Sequence, residues 1–535
     1  MARKPKPPPV TTPKRVTRVV DQAPSREERR AEKKLKSRFA PRLGWGGRFG
    51  GRAPVEDTGT VYTGPTTQAG GIYPFLLGSG LPPRGVPVGR DVLTGELVCI
   101  DPSGWTGKLT TNPGVWVMSQ PGAGKSALVK RVCLVYSAYG HMVCVPGDVK
   151  GEYSTLISEL GGSVVRIGDG IGRLNPLDSG PLKGHVHSLP AERRQALLDV
   201  LNGRRLETLV ALLSTKVGLG RPADEIERSA LDTAVQIAST AQETGRDPIV
   251  ADVVQVLRLG PQELRSKLAA DGERYQDLTR SVIAGLDNLI GGPLRGLFDG
   301  PTTTPLDINA PAVSVDISAL RARGNDVVSA GMIATWAYTY SSIDSARSIG
   351  LMDRKLVLPM DEMWRALRSG PGLVDAMDAI SRLNRVTDDV TIYVTHSLLD
   401  VEALPTEMDR AKARGLMDRC DTWVIGASSE EELGRVTGKR SLTEQERMMI
   451  GSWSSATSTG LDIDPSYSDD DGSRRVEEEG ARHPGRGKYM IKVGARPGIA
   501  SALELTATEQ RLYRTDTNQR RTTTTGTTTT GGGSR

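Results

Sequence analysis

The chain has 535 residues, 37% of them hydrophobic, enough for about three or four domain-sized units and for a core that needs no disulfide or zinc staple. Its four cysteines, Cys99, Cys133, Cys144 and Cys420, lie far apart with no metal-ligand spacing, which excludes a disulfide scaffold and points to a reduced, intracellular chain. The net charge of +6 is uneven: residues 1–52 hold 16 Lys and Arg against four acids, a balance of +12 that leaves −6 for the rest.

A basic arm on a mildly acidic body can seek nucleic acid, anionic lipid or an acidic partner by itself. The opening MARKPKPPPV lacks the apolar core of a secretory signal, and no stretch of about 18 residues is free of charged or strongly polar groups, so no membrane-spanning helix is expected. Residues 1–60 are rich in Pro, Arg and Lys and read as a disordered tether. Within them PRLGWGGRFGGR sets Trp45 and Phe49 among glycines and arginines, a pattern that can stack on single-stranded nucleic acid.

A β-rich lead-in is expected over 61–110. Apolar runs rich in β-branched residues follow at Val115–Met118, Met142–Val145, Ser163–Ile167, Ala312–Val315, Leu356–Met360, Thr391–Thr395 and Thr422–Ile425. Each precedes a helical pattern, which predicts an α/β domain with a mostly parallel central sheet. That domain would occupy 111–186 and 291–460. Between its halves, 187–290 turns to helical periodicity, as in ERRQALLDVLNGRRLETLVALL, and reads as an all-helical insertion. An acidic loop and C-terminal strands are expected over 461–517. The Thr/Gly-rich residues 518–535 have nothing to pack and read as a second disordered tail.

The run GVWVMSQPGAGKSALVKRV places an apolar strand, a glycine turn and a helix in the order a phosphate-binding loop requires. Gly122 and Gly124 let backbone N–H groups turn inward, and the helix from Lys125 aims its positive end at an anion. The cradle would comprise Gln120, Pro121, Gly122, Ala123, Gly124, Lys125, Ser126 and Ala127. Lys125 would meet the β/γ oxygens and Ser126 would ligate Mg²⁺. Ser119 stands where the consensus has Gly, which requires a negative φ there. Of four Gly-Lys pairs, at Lys108, Lys125, Lys439 and Lys488, only that of Lys125 is followed by Ser or Thr.

Hydrolysis at such a loop needs a second strand ending in acids, and KLVLPMDEMWRAL supplies them. Asp361 would be the metal-side acid and Glu362 the general base, with Trp364 packed against the body on the helix beyond. Pro359 cannot donate to a ladder and predicts an irregularity just before the pair. Asp316, ending AVSVD, lacks a second carboxylate and ranks as structural. The strand TIYVTHS, expected beside the phosphate-loop strand, ends at Thr395 and His396, where a polar side chain can sense a terminal phosphate.

Taken in order, VGRDVLTGELVCIDP, SQPGAGKS, GDVKGEYSTLISELGGSVVRI, LNPLD, LFDGPTTTPLDINAPAVSVDIS, LPMDEMW, TIYVTHS, RGKYMIKVG and LTATEQRLYRT resemble the motor domain of conjugative-transfer and type IV secretion ATPases. These belong to the HerA–FtsK superfamily of P-loop ATPases, and the resemblance covers roughly Gly85 to Thr517. It implies a RecA-like ATPase using ATP and Mg²⁺, assembled as a homo-oligomeric ring, a hexamer, and recruited to a membrane-associated secretion or conjugation complex at the inner face of the cytoplasmic membrane. Carried over by motif, Lys125 and Ser126 bind nucleotide and Mg²⁺, Asp361 and Glu362 hydrolyse it, and His396 holds the sensor place where relatives usually have Gln. Asp148 and Glu152 of GDVKGEY match the family's acidic strand-end motif. An arginine supplied in trans would be one of Arg365, Arg368, Arg382, Arg385 and Arg486. Longer secretion members carry a substantial domain ahead of the motor, where this chain has its basic arm and lead-in. The alternatives are a DNA translocase gripping duplex within the ring, and a nucleotide-binding scaffold with little hydrolysis.

Overall fold

The computed structural model describes residues 80–513 apart from 169, 186–189, 241–245, 371–372, 375–386, 437–439 and 455–484, together with residues 25, 26 and 30. Trp45, Phe49, the acidic stretch 462–479, the tail 518–535, Arg382 and Arg385 lie outside the described residues. The chain divides into two units, Met1–Leu76 and Leu77–Arg535, and the architecture is that of the second.

Its framework is an 11-stranded sheet. In chain order the strands are β1 (Val86–Asp91), β2 (Leu97–Ile100), β3 (Val115–Met118), β4 (Met142–Asp148), β5 (Ser163–Arg166), β6 (Ala312–Asp316), β7 (Leu356–Met360), β8 (Val390–Thr395), β9 (Thr422–Ile425), β10 (Lys488–Val493) and β11 (Ile499–Ala502). Across the sheet they run β2-β1-β11-β10-β9-β3-β8-β7-β4-β6-β5. The seven apolar runs of the sequence form the parallel part, from β9 to β5. Strands β1, β2, β11 and β10 extend it antiparallel beyond β9.

Parallel strands covered on both faces must be apolar on both, and β3, β7 and β8 are buried at every residue. Alternation divides β3 between two cores. Val115 and Val117 pack with α1 (Lys125–Ala138), while Trp116 and Met118 face the opposite layer. That layer contains the helices between β5 and β6: α2 (Ala191–Ser214), α3 (Glu225–Thr240), α4 (Val250–Leu259), α5 (Gln262–Leu268) and α6 (Gly272–Ile290). It also contains α7 (Asn325–Ser348), whose buried residues occur all around its axis because sheet and helical layer enclose it. Trp364, on α8 (Met363–Leu367), is 3% exposed and meets Trp116 edge-on at 5.5 Å. All four cysteines are buried and unpaired. Among the described residues, no helix is long and apolar enough to cross a membrane.

The strand order positions the site. Between β3 and β4, consecutive in sequence, lie β8 and β7, so the chain ends after β7 and β8 meet the turn after β3 at the carboxyl edge of the sheet. Pro359 leaves its mark nearby: the β4–β7 register runs Met142↔Leu356 and Val143↔Val357 and ends there. Pro146 on β4 and Pro359 on β7 have no N–H with which to continue it.

Candidate nucleotide-binding site

Ser119 follows β3, fully buried, with Gly426 pressed so close that a Cβ there would lie 2.6 Å from the Ser119 Cβ. Gln120 N donates to Ala427 O at 2.8 Å, tying the loop to the chain after β9. Ser119 avoids the left-handed region, which among described non-glycine residues holds Ala269, Glu362 and Asp388. Gly122 and Gly124 do occupy it, at φ 85° and 97°, where an L side chain is strained. A Cβ on Gly124 would also come within 2.8 Å of the Tyr489 hydroxyl. That hydroxyl donates to Ala123 O at 3.3 Å, and Gly487 N donates to the same oxygen at 2.9 Å. The loop therefore rests on the start of β10. Beyond it α1 begins at Lys125, and the first N–H groups of a helix have no intrahelical acceptor.

Lys125 Nζ reaches Ser119 O at 2.5 Å, Gln120 O at 3.1 Å and His396 Nδ1 at 2.9 Å. An ammonium has three protons and no lone pair, so His396 Nδ1 is the acceptor and Nε2 carries the imidazole proton. Nε2 faces Glu362 Oε1 at 3.5 Å. Burial lowers the Lys125 pKa to about 8, against the pull of Asp361. His396 is held by the turn after β8, where Asp400 accepts from Thr395 Oγ1 at 2.5 Å and from His396 N at 3.3 Å.

Asp361 and Glu362 follow β7. Asp361 Oδ1 accepts from Glu362 N at 3.0 Å, and burial pushes the Asp361 carboxyl up, with Lys150 opposing. Glu362 sits at φ 56°, an αL conformation that costs a side-chain-bearing residue about 1–3 kcal/mol and clusters at functional sites. Its Oε1 meets Lys150 Nζ at 2.8 Å. His396 first, then Lys150, hold its carboxyl well below the usual range. For Lys150, burial acts downward, but Asp361 and Glu362 prevail and the ammonium pKa rises.

The structure thus gathers Lys125, His396, Glu362 and Asp361 at one edge, with Ser126 half-buried on the first turn of α1. Asp148 is a turn cap: it accepts from Lys150 N and Glu152 N, each at 3.2 Å, and from Tyr153 N at 2.8 Å. Glu152 Oε2 is buried without a partner. Asp316 accepts from Ser154 Oγ at 3.1 Å and Ser318 N at 2.9 Å, a structural place. Arg368 pairs with Asp400, Arg365 is half-buried on α8, and Arg486 is exposed beside Gly487. Lys150, Asp400 and Tyr489 are contacts that the sequence did not single out. The signal for Lys150 was its place inside GDVKGEY, between two acids that drew notice.

The donor set fits a nucleoside triphosphate with Mg²⁺. Two left-handed glycines turn the chain into the start of α1, whose first N–H groups have no intrahelical acceptor, and burial pushes the Asp361 carboxyl up against the pull of Lys150 and Lys125.

No family model matches the chain, and no curated protein matches it. Among solved structures, VirB4 of Thermoanaerobacter pseudethanolicus is similar at a TM-score of 0.58 and 20% identity, covering 80% of this chain and 98% of that one. The bacterial conjugative coupling protein TrwB, truncated and in complex with sulphate, gives 0.45 at 10% identity, over 74% and 86%. The plasmid coupling protein TrwB with ADP and Mg²⁺ gives 0.43 at 11%, over 74% and 85%. These two are too distant to add to the argument. The chain has the fold of VirB4, with the glycine turn after β3 and two acids after β7 at one edge of the sheet.

Proposed function

We propose that this chain is an ATP-hydrolysing motor that powers conjugative DNA transfer or type IV-like secretion. The observation that carries the reading is the pair of contacts from Lys125 Nζ to His396 Nδ1 at 2.9 Å and from His396 Nε2 to Glu362 Oε1 at 3.5 Å, which brings a phosphate-loop lysine near an acid two strands away. In binding the triphosphate, Lys125 exchanges the carbonyls of Ser119 and Gln120 and the His396 nitrogen for phosphate oxygens, while the N–H groups of Gly122 to Ser126 surround them. Ser126 and Asp361 would hold Mg²⁺, which supplies charge neutralisation at the phosphates. Glu362 takes the proton of the attacking water, and His396 senses the terminal phosphate.

The likeness to VirB4 supports a ring-forming motor, assembled as a hexamer and docked peripherally on a membrane-associated conjugation or secretion complex. The basic arm at 1–52 is the candidate contact for nucleic acid or an anionic surface, and a body of net charge −6 disfavours tight grip on duplex DNA. The test is ATP turnover by the purified protein with and without single- and double-stranded DNA, alongside its mass in solution. Turnover by an oligomer with little response to duplex supports the reading. Strong duplex stimulation that collapses with salt replaces it with a DNA translocase. Absence of turnover leaves a scaffold.

A further inference from the structure

Strands β4 and β7 are neighbours whose paired register ends at Val143↔Val357. The β4–β6 ladder also shifts register between Val145 and Asp148. The carboxyl ends of β4 and β7 therefore part at the edge of the sheet that carries the site, and the Lys150–Glu362 ion pair spans the parting at 2.8 Å. Lys150 is not loosely placed, because the buried Asp148 carboxylate caps its turn through the N–H groups of residues 150, 152 and 153. Nor is Glu362, whose backbone is held at φ 56°.

We propose that Lys150 is a latch on Glu362, a positioning residue whose ion pair restrains the carboxylate until the site fills. The inference rests on the ATPase reading of this site. A carboxylate oxygen held by an ammonium at 2.8 Å is occupied and is not free to orient a water at the same time. Release of Lys150 is what frees that oxygen to reach the attacking water. His396 couples release to occupancy: when Lys125 leaves the imidazole for phosphate, His396 loses the bond that fixes its ring against Glu362. The ion pair is partly exposed, with side chains 34% and 17% accessible, so holding it costs the motor little and breaking it is within reach of nucleotide binding.

The experiment compares the full-length wild type with Lys150→Met, Lys150→Arg and Lys125→Ala, measuring ATP turnover, binding of a fluorescent ATP analogue and thermal midpoint. Lys150→Met is expected to raise kcat about 3–10-fold with KM for ATP within about twofold of wild type, and Lys150→Arg to match wild type. A kcat that is unchanged or lower in a folded Lys150→Met protein overturns the latch while leaving the ATPase reading intact. If that variant fails to fold, Lys150→Gln is scored by the same criteria. A wild type that binds ATP no better than Lys125→Ala overturns the ATPase reading and the latch with it.

Discussion

Lys125 and His396 stand 271 positions apart in the chain, and their Nζ and Nδ1 atoms are 2.9 Å apart. The contact exists because β8 lies next to β3 with Met118 opposite Thr395, which puts the residues after both strands side by side. It makes the lysine of the phosphate loop and the histidine of the next strand one unit.

Lys125→Ala removes that unit's cation. Nucleotide affinity should fall about 10–150-fold, the range for losing a hydrogen bond between charged partners. A fluorescent-nucleotide titration checks this, and unchanged affinity contradicts the loop assignment.

His396 offers one acceptor to Lys125 and one donor to Glu362. Glutamine carries both groups on one amide, whereas alanine carries neither. We expect His396→Gln to keep most of the turnover and His396→Ala to lose about tenfold or more in kcat. Equal losses in the two variants would show that the bridge itself does not matter.

Gly124→Ala places a Cβ at φ 97° within 2.8 Å of the Tyr489 hydroxyl. Left-handed backbone alone costs about 1–2 kcal/mol for alanine. The variant should lose thermal stability and nucleotide binding together. Adding Tyr489→Phe, which removes the crowding oxygen, should recover part of both, and recovery of neither would place the damage elsewhere.

Much of this site was legible in the sequence because its determinants are local. Two glycines, a lysine and a serine after VWVM mark the loop, and Pro359 announces a broken ladder because its missing N–H is a property of one residue. The seven parallel strands were legible because burial on both faces demands apolar runs such as LVLPM and TIYVT. The contacts of Lys150 and Tyr489 were not, since each depends on which strands become neighbours. Tyr489 reaches Ala123 across 366 positions, and the salt bridge of Lys150 spans a gap between β4 and β7 that no short pattern encodes. The same holds for the lysine–histidine contact, whose two residues were each singled out without their bond.

Burial raises the Asp148 carboxyl from 3.8 to about 6, with the Tyr153 N–H pulling the other way. Between those values the folded protein holds a proton that the unfolded chain has released, so stability falls as pH rises through that window, and the cost is fully present above it. Asp148→Asn cannot titrate. The thermal midpoint of wild type, measured relative to that variant, should therefore rise on going from about pH 7.5 to about pH 5, by an amount on the order of 1 kcal/mol in stability. A pH-independent difference would contradict the assignment.

The most direct test of the central claim, that Glu362 acts on a nucleotide held by the Lys125 loop, is single-turnover hydrolysis of bound ATP by Glu362→Gln. Binding should match wild type while the rate falls about 10²–10⁴-fold, leaving ATP intact on the protein. Hydrolysis at the wild-type rate would remove Glu362 from the reaction and contradict the account.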